Sequence, residues 1–168
     1  MLLAVFLLPL PDQGKCMWTP SVFRCREFYV GWRYGRIDQA ATTGERGEQA
    51  AARMLRQQGL VIIAQNESDG IGEIDLIAVD RRKRTVVFIE VKTHSSVKPG
   101  HPAERVDRNK QWRVTRAAMR YLRRKNLLGV AARFDVVAVW WPSGQSTPTR
   151  IEHYESAFEA LGTHQFYS

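Results

Sequence analysis

Apolar and polar positions alternate along this chain with two different periods, and the changes of period mark its elements. In "TTGERGEQAAARMLRQQG" the residues Ala51, Ala52 and Leu55 recur at helical spacing. Thr42 and Glu45 have the spacing of a capping box, and Gly59 is placed to stop that helix. "LVIIAQN" then reads as a buried strand. "EIDLIAVD" and "TVVFIEVKT" read as two more, joined by "RRKR" as a hairpin. "PAERVDRNKQWRVTRAAMRYLRRKN" predicts a long helix, with Val114, Ala117, Ala118, Tyr121 and Leu122 as its buried stripe. "ARFDVVAVWW" is a further apolar strand, "PSGQSTP" a turn, "RIEHY" a last short strand and "ESAFEAL" a terminal helical turn. This order predicts an α/β sandwich: a central mixed β-sheet with an antiparallel hairpin, flanked by helices. Residues 1–42 hold Pro9, Pro11 and Pro20 and keep no period, so they are expected to be a poorly ordered extension. Residues 43–160 are expected to be the folded domain and 161–168 a tail.

The hairpin does not have the composition of a buried hairpin. Side chains of a strand alternate between faces, so Glu73, Asp75, Ile77 and Val79 share one face. On the second strand Val86, Phe88, Glu90 and Lys92 share a face. Each acid therefore stands on a face that is apolar further along the strand. A carboxylate withdrawn from water is costly unless paired or bound to a cation, and gathered carboxylates repel one another. A divalent cation answers both costs, and an all-oxygen donor set suits Mg²⁺ or Mn²⁺. Lys92 projects beside Glu90, where an ammonium can hold a water and offset phosphate charge. That set fits phosphodiester hydrolysis. Glu48 is a second anomaly: it lies on the apolar stripe of the first helix, where an acid serves either the helix dipole or a site.

Charge adds a partner. The chain has 25 Lys+Arg against 17 Asp+Glu, a net charge of +8. From Arg81 to Arg133 there are sixteen Lys and Arg and three acids, a field of one sign that attracts polyanions. Arg113, Arg116, Arg120 and Arg123 line one face of the long helix, and with Lys110 are expected to grip a nucleic-acid backbone without reading sequence. Trp112 reads as packing, Trp140 and Trp141 as core and rim, and His94 as a loop residue. The only cysteines, Cys16 and Cys25, favour a reducing compartment, and the expected location is the cytoplasm. "MLLAVFLLPL" is shorter than the roughly 20 residues of a membrane span, so no stable membrane association is expected.

"GEIDLIAVD…TVVFIEVKT" resembles the PD-(D/E)xK nuclease signature, with Asp75 and the Glu90-x-Lys92 pair as its elements. More closely, "GERGEQAAARML", "GEIDLIA", "VVFIEVKTHS", "ERVDRNKQWR" and "RFDVVAV" occur in the order seen in the YraN-like family of small bacterial proteins. The resemblance covers about residues 43–160. It implies a restriction-endonuclease-like fold, similar to archaeal Holliday-junction resolvases, and a Mg-dependent deoxyribonuclease acting on DNA, including branched DNA. It also implies that Glu48, Asp75, Glu90 and Lys92 form the catalytic set. Asp75, Glu90 and the main-chain carbonyl of Val91 are expected to bind the metal, with Glu48 completing the site. A substrate with two-fold symmetry would favour a homodimer. The chain departs from the family pattern in two places: Asn66 is followed by "ESDGI" rather than an aromatic and a basic residue, and Ile74 stands where the strict signature has proline. The competing readings are a nucleic-acid-binding module that retains a nuclease fold, a protein-binding scaffold, and a basic membrane-surface protein.

Overall fold

The computed structural model describes residues 34–70, 72–95 and 107–161. Most of the N-terminal extension, the start of the "PAERVDRNKQWR" segment, His101, His164 and the tail beyond residue 161 lie outside those residues. Among the described residues seven elements follow one another: α1 (Thr43–Gln57), β1 (Val61–Ser68), β2 (Glu73–Asp80), β3 (Thr85–His94), α2 (Arg108–Arg124), β4 (Ala132–Trp140) and β5 (Arg150–Phe158). The five strands form one sheet in chain order. β1, β2 and β3 pair antiparallel, β3 and β4 pair parallel, and β5 returns antiparallel on β4. The parallel pair requires a crossover, which α2 supplies. One helix covers each face, so the molecule is the mixed-sheet α/β sandwich of restriction-endonuclease-like proteins.

The two faces hold two cores. On one, Ala50, Ala51, Ala52 and Leu55 of α1 pack on Leu76, Ala78, Val87, Ile89, Val137 and Val139. On the other, Val114, Ala117, Ala118, Tyr121 and Leu122 of α2 pack on Ile77, Val86, Phe88 and Phe134. Both helices begin at side-chain caps. Thr42 and Glu45 make the reciprocal capping box of α1, and Asp107 accepts the Lys110 N–H at 2.8 Å to open α2.

The run of small residues lets α1 lie close to the sheet. A Cβ added to Gly47 would stand 1.9 Å from Thr93 Oγ1 and 3.1 Å from Thr93 Cβ. Gly47→Ala is therefore expected to destabilise the fold by about 1–3 kcal/mol through overpacking. Thr93→Ala in the same chain should recover part of that loss. Urea unfolding of the two variants checks this, and an unchanged midpoint for Gly47→Ala would show that α1 is not held this close.

The structure departs from the sequence reading at the "ESAF" segment, at β1, at His94 and at Trp141. The "ESAF" segment is not helical: β5 continues through it to Phe158. Ser156 takes a positive φ of 50° at a shift in register and gives its N–H to Asp135, and the Phe158 ring stacks on Phe134. Pairing and ring packing override a short helical pattern there. β1 is not a buried strand but a half-exposed sheet edge. His94 is the last residue of β3 rather than a loop residue, and Trp141, read as rim, is fully buried beside Trp140. Residues 34–41 lie against α1: Arg56 donates to the Tyr34 carbonyl, Gln49 accepts the Asp38 N–H, and Ile37 packs on the α1 core.

A buried polar network closes the hairpin-turn end of the sheet. Asp135, fully buried, accepts from Arg133, from Ser156 N–H and from His153, whose other ring nitrogen meets Gln58. Arg133 also reaches Asp80, which caps the turn. Every group on Asp135 there is answered within the protein, so this end reads as structural.

Candidate active site

At the other end of the hairpin, β2 and β3 part company. Their pairing runs from Asp80↔Thr85 to Leu76↔Ile89, while β3 stays paired with β4 as far as His94. Asp75 stands at the point of divergence. Its Oδ2 accepts the Val91 N–H at 2.7 Å, in place of a main-chain partner from β2. Beyond it the strand turns, and Ile74 joins the same core as Ile77, which a straight strand would not permit. Ile74 is buried there, a use that an apolar side chain serves where the strict signature has proline.

Glu90 lies on the α2 side of β3, continuing the face of Val86 and Phe88. It is only 3% exposed. Its Oε1 accepts from Lys92 Nζ at 2.8 Å and faces Lys110 Nζ at 3.1 Å, and its buried Oε2 has no hydrogen-bond partner. Lys92 comes from the same strand; Lys110 reaches over from the first turn of α2. Burial pushes the Asp75 carboxyl up to about 7, the neighbouring Glu90 charge adds to it, and the Val91 N–H and Lys110 pull against it. Glu48 comes from α1 on the opposite layer. Burial raises its pKa too, a hydrogen bond to the Asn66 side chain opposes that, and Glu73, Glu45 and Glu90 raise it further.

The sequence-expected acids thus share one electrostatic neighbourhood: Asp75 feels both Glu90 and Glu48. Among the described residues, no three His, Cys, Asp or Glu side chains converge into a ready-made metal cage. Asp75 and Glu90 nonetheless fit a hard cation of the Mg²⁺ type, which commonly takes one or two protein carboxylates and completes its shell with water and phosphate. The unpartnered Glu90 oxygen is the observation that favours that fit.

Beside these groups opens a cleft of about 310 Å³, lined by Ser68, Gly70, Gly72, Glu73, Lys110 and Arg113. Its wall is fixed. Arg120 holds Asp69 through both nitrogens, one of them at 2.9 Å, and Asp69 in turn accepts the Gly72 N–H. A Cβ on Gly72 would meet the Arg113 carbonyl and Ala117 at 3.3 Å, so the loop lies directly on α2. Arg124 pairs with Glu67. Within the departure, Glu67 and Asp69 thus tie the β1–β2 loop to α2.

The basic face of α2 divides accordingly. Arg113, Arg116 and Arg123 are exposed, whereas Lys110 and Arg120 are half-buried and engaged with Glu90 and Asp69. Trp112 is not packed: it is 46% exposed, with the Arg116 guanidinium 4.5 Å from its ring centre. Sequence reasoning missed the Lys110–Glu90 contact and the Asn66–Glu48 bond. Both join residues from different layers, and no spacing signals them.

A family model described as uncharacterised protein family UPF0102 matches residues 47–139. A UPF0102 protein of Rhodopirellula baltica is 62% identical over 144 residues, 86% of each chain. Another from Syntrophus aciditrophicus is 44% identical over 124 residues, 74% of this chain and 94% of that one. A third, from Chlorobaculum tepidum, is 43% identical over 118 residues, 68% of this chain and 90% of its own. The chain belongs to the UPF0102 family, the YraN-like family of the sequence resemblance. Among the described residues, no helix is long and apolar enough to cross a membrane.

Proposed function

We propose that this UPF0102 protein is a metal-dependent nuclease that hydrolyses phosphodiester bonds in DNA. One observation carries the reading: where β2 leaves β3, Asp75 accepts the Val91 N–H beside the buried Glu90, which holds Lys92, next to a cleft walled by a basic helix. Asp75 and Glu90, with the Val91 carbonyl, would hold Mg²⁺ or Mn²⁺, and Glu48 would complete the set through water. The bound cation supplies Lewis-acid stabilisation of the charge that develops on the phosphate. Lys92, tethered by Glu90, presents its ammonium at the rim, where it holds the attacking water in line. Glu90 is thereby both a ligand and the group that orients Lys92. The exposed arginines of α2 hold the backbone on either side of the cut.

A second reading is binding without turnover. Supercoiled plasmid, single-stranded DNA and a four-way junction, each with Mg²⁺, Mn²⁺ or EDTA, separate the two. Cleavage with metal and none with EDTA is the expected result. Binding without cleavage in every metal favours the second reading. Preferential cutting of the junction would support action on branched DNA and, with it, a homodimer.

The gripping role has its own signature. Arg113→Ala is expected to weaken DNA binding about equally for all sequences. It should lower the slope of log K against log salt by roughly one. Fluorescence anisotropy across a salt series measures it; an unchanged slope would remove Arg113 from the interface.

A further inference from the structure

We propose that Lys110 is a displaceable counterion: it neutralises Glu90 in the metal-free protein and yields it to the incoming divalent cation. Its own ammonium then moves into the cleft to meet the substrate phosphate. The inference rests on the reading that Asp75 and Glu90 hold a metal.

Glu90 cannot stay buried without compensation. Two ammonium groups supply it, both on Oε1, while Oε2 is left without a hydrogen bond. Two positive charges already face one carboxylate, so a divalent ion entering the same site meets strong like-charge repulsion unless one leaves. Lys92 follows Glu90 on the same strand, two residues on, and the two lysines are about equally exposed, 31% for Lys92 and 29% for Lys110. What distinguishes Lys110 is its place: it reaches Glu90 from the first turn of the facing helix α2 and lines the open cleft together with Arg113. A lysine is a point charge on a flexible stem, suited to exchanging one oxygen for another. In the cleft its charge is set against phosphate rather than against the cation. The competing account makes Lys110 a fixed strut between α2 and the sheet, in which case metal affinity does not rise when it is removed.

Calorimetric titration of the full chain with Mn²⁺, without DNA, distinguishes the two. Lys110→Met and Lys110→Gln are expected to bind Mn²⁺ about tenfold more tightly than wild type, the effect of lifting one nearby like charge. Lys110→Arg is expected to stay near wild type, and Asp75→Asn to lose the site. Two substitutions guard against one that fails to fold, and thermal unfolding identifies which is folded. Equal or weaker binding by the folded charge-removing variants, with wild type binding normally, overturns the displacement and leaves the metal reading intact. No Mn²⁺ binding by wild type or by either variant overturns the metal reading and this one with it.

Discussion

Lys92→Ala is expected to remain folded and to lose metal-dependent cleavage by about a thousandfold or more, the scale on which a positioned acid–base or electrostatic group acts. The side chain is half-buried near the end of β3, and it donates to Glu90. Its loss leaves Lys110 on Glu90, so the buried carboxylate is still compensated and the core is untouched. Lys92→Arg should rescue poorly, because a planar guanidinium is not a compact point charge on a flexible stem. Single-turnover cleavage alongside circular dichroism checks both statements. A folded Lys92→Ala that cuts at the wild-type rate would take Lys92 out of the chemistry.

Asp75→Asn separates the needs of the site from those of the fold. Burial and the Glu90 charge raise the Asp75 pKa from 3.8 to about 7. A carboxyl whose folded pKa is raised contributes most to stability below its unfolded pKa, and loses that contribution as pH climbs through the folded value. Wild-type stability should therefore fall between about pH 4 and pH 7, by up to roughly 4 kcal/mol at about 1.4 kcal/mol per unit. The carboxamide keeps an oxygen for the Val91 N–H and carries no charge. Asp75→Asn should flatten this part of the profile and exceed wild type in stability near pH 8. Urea unfolding from pH 4 to pH 8 measures it. Parallel profiles for the two proteins would show that the buried charge is not what the fold tolerates. A site that weakens its own fold is expected where function requires groups the core would not choose.

The hairpin shows why much of this site was legible in the sequence. Asp75 and Glu90 break an apolar alternation on strands that are otherwise core, and Lys92 follows at the spacing that shares a face. Strand periodicity places Glu90 and Lys92 on one face of β3, and the hairpin register brings Asp75 to the same end. The Thr42–Glu45 box and the α2 stripe were legible for the same reason, since caps and periods are local. What was not legible depends on distant contacts. Lys110 and Arg120 share a helix face with Arg113 and Arg116, so spacing cannot distinguish them; only Glu90 and Asp69 across the layer do. Trp112 carries the apolar surface of a core residue, yet it lies outside the buried stripe. The "ESAF" segment has helical composition and becomes strand because Asp135 and Phe134 of β4 hold it.

Asp75 and Glu90 with Lys92 are proposed to form a working nuclease site. The most direct measurement is Mg²⁺-dependent DNA cleavage by wild type and by Asp75→Asn, prepared identically and both shown to be folded. Wild type is expected to cleave, EDTA to abolish that cleavage, and the more stable variant to show none. Equal cleavage by both, or none by wild type in Mg²⁺ or Mn²⁺ on any of the three DNA forms, would contradict the proposal.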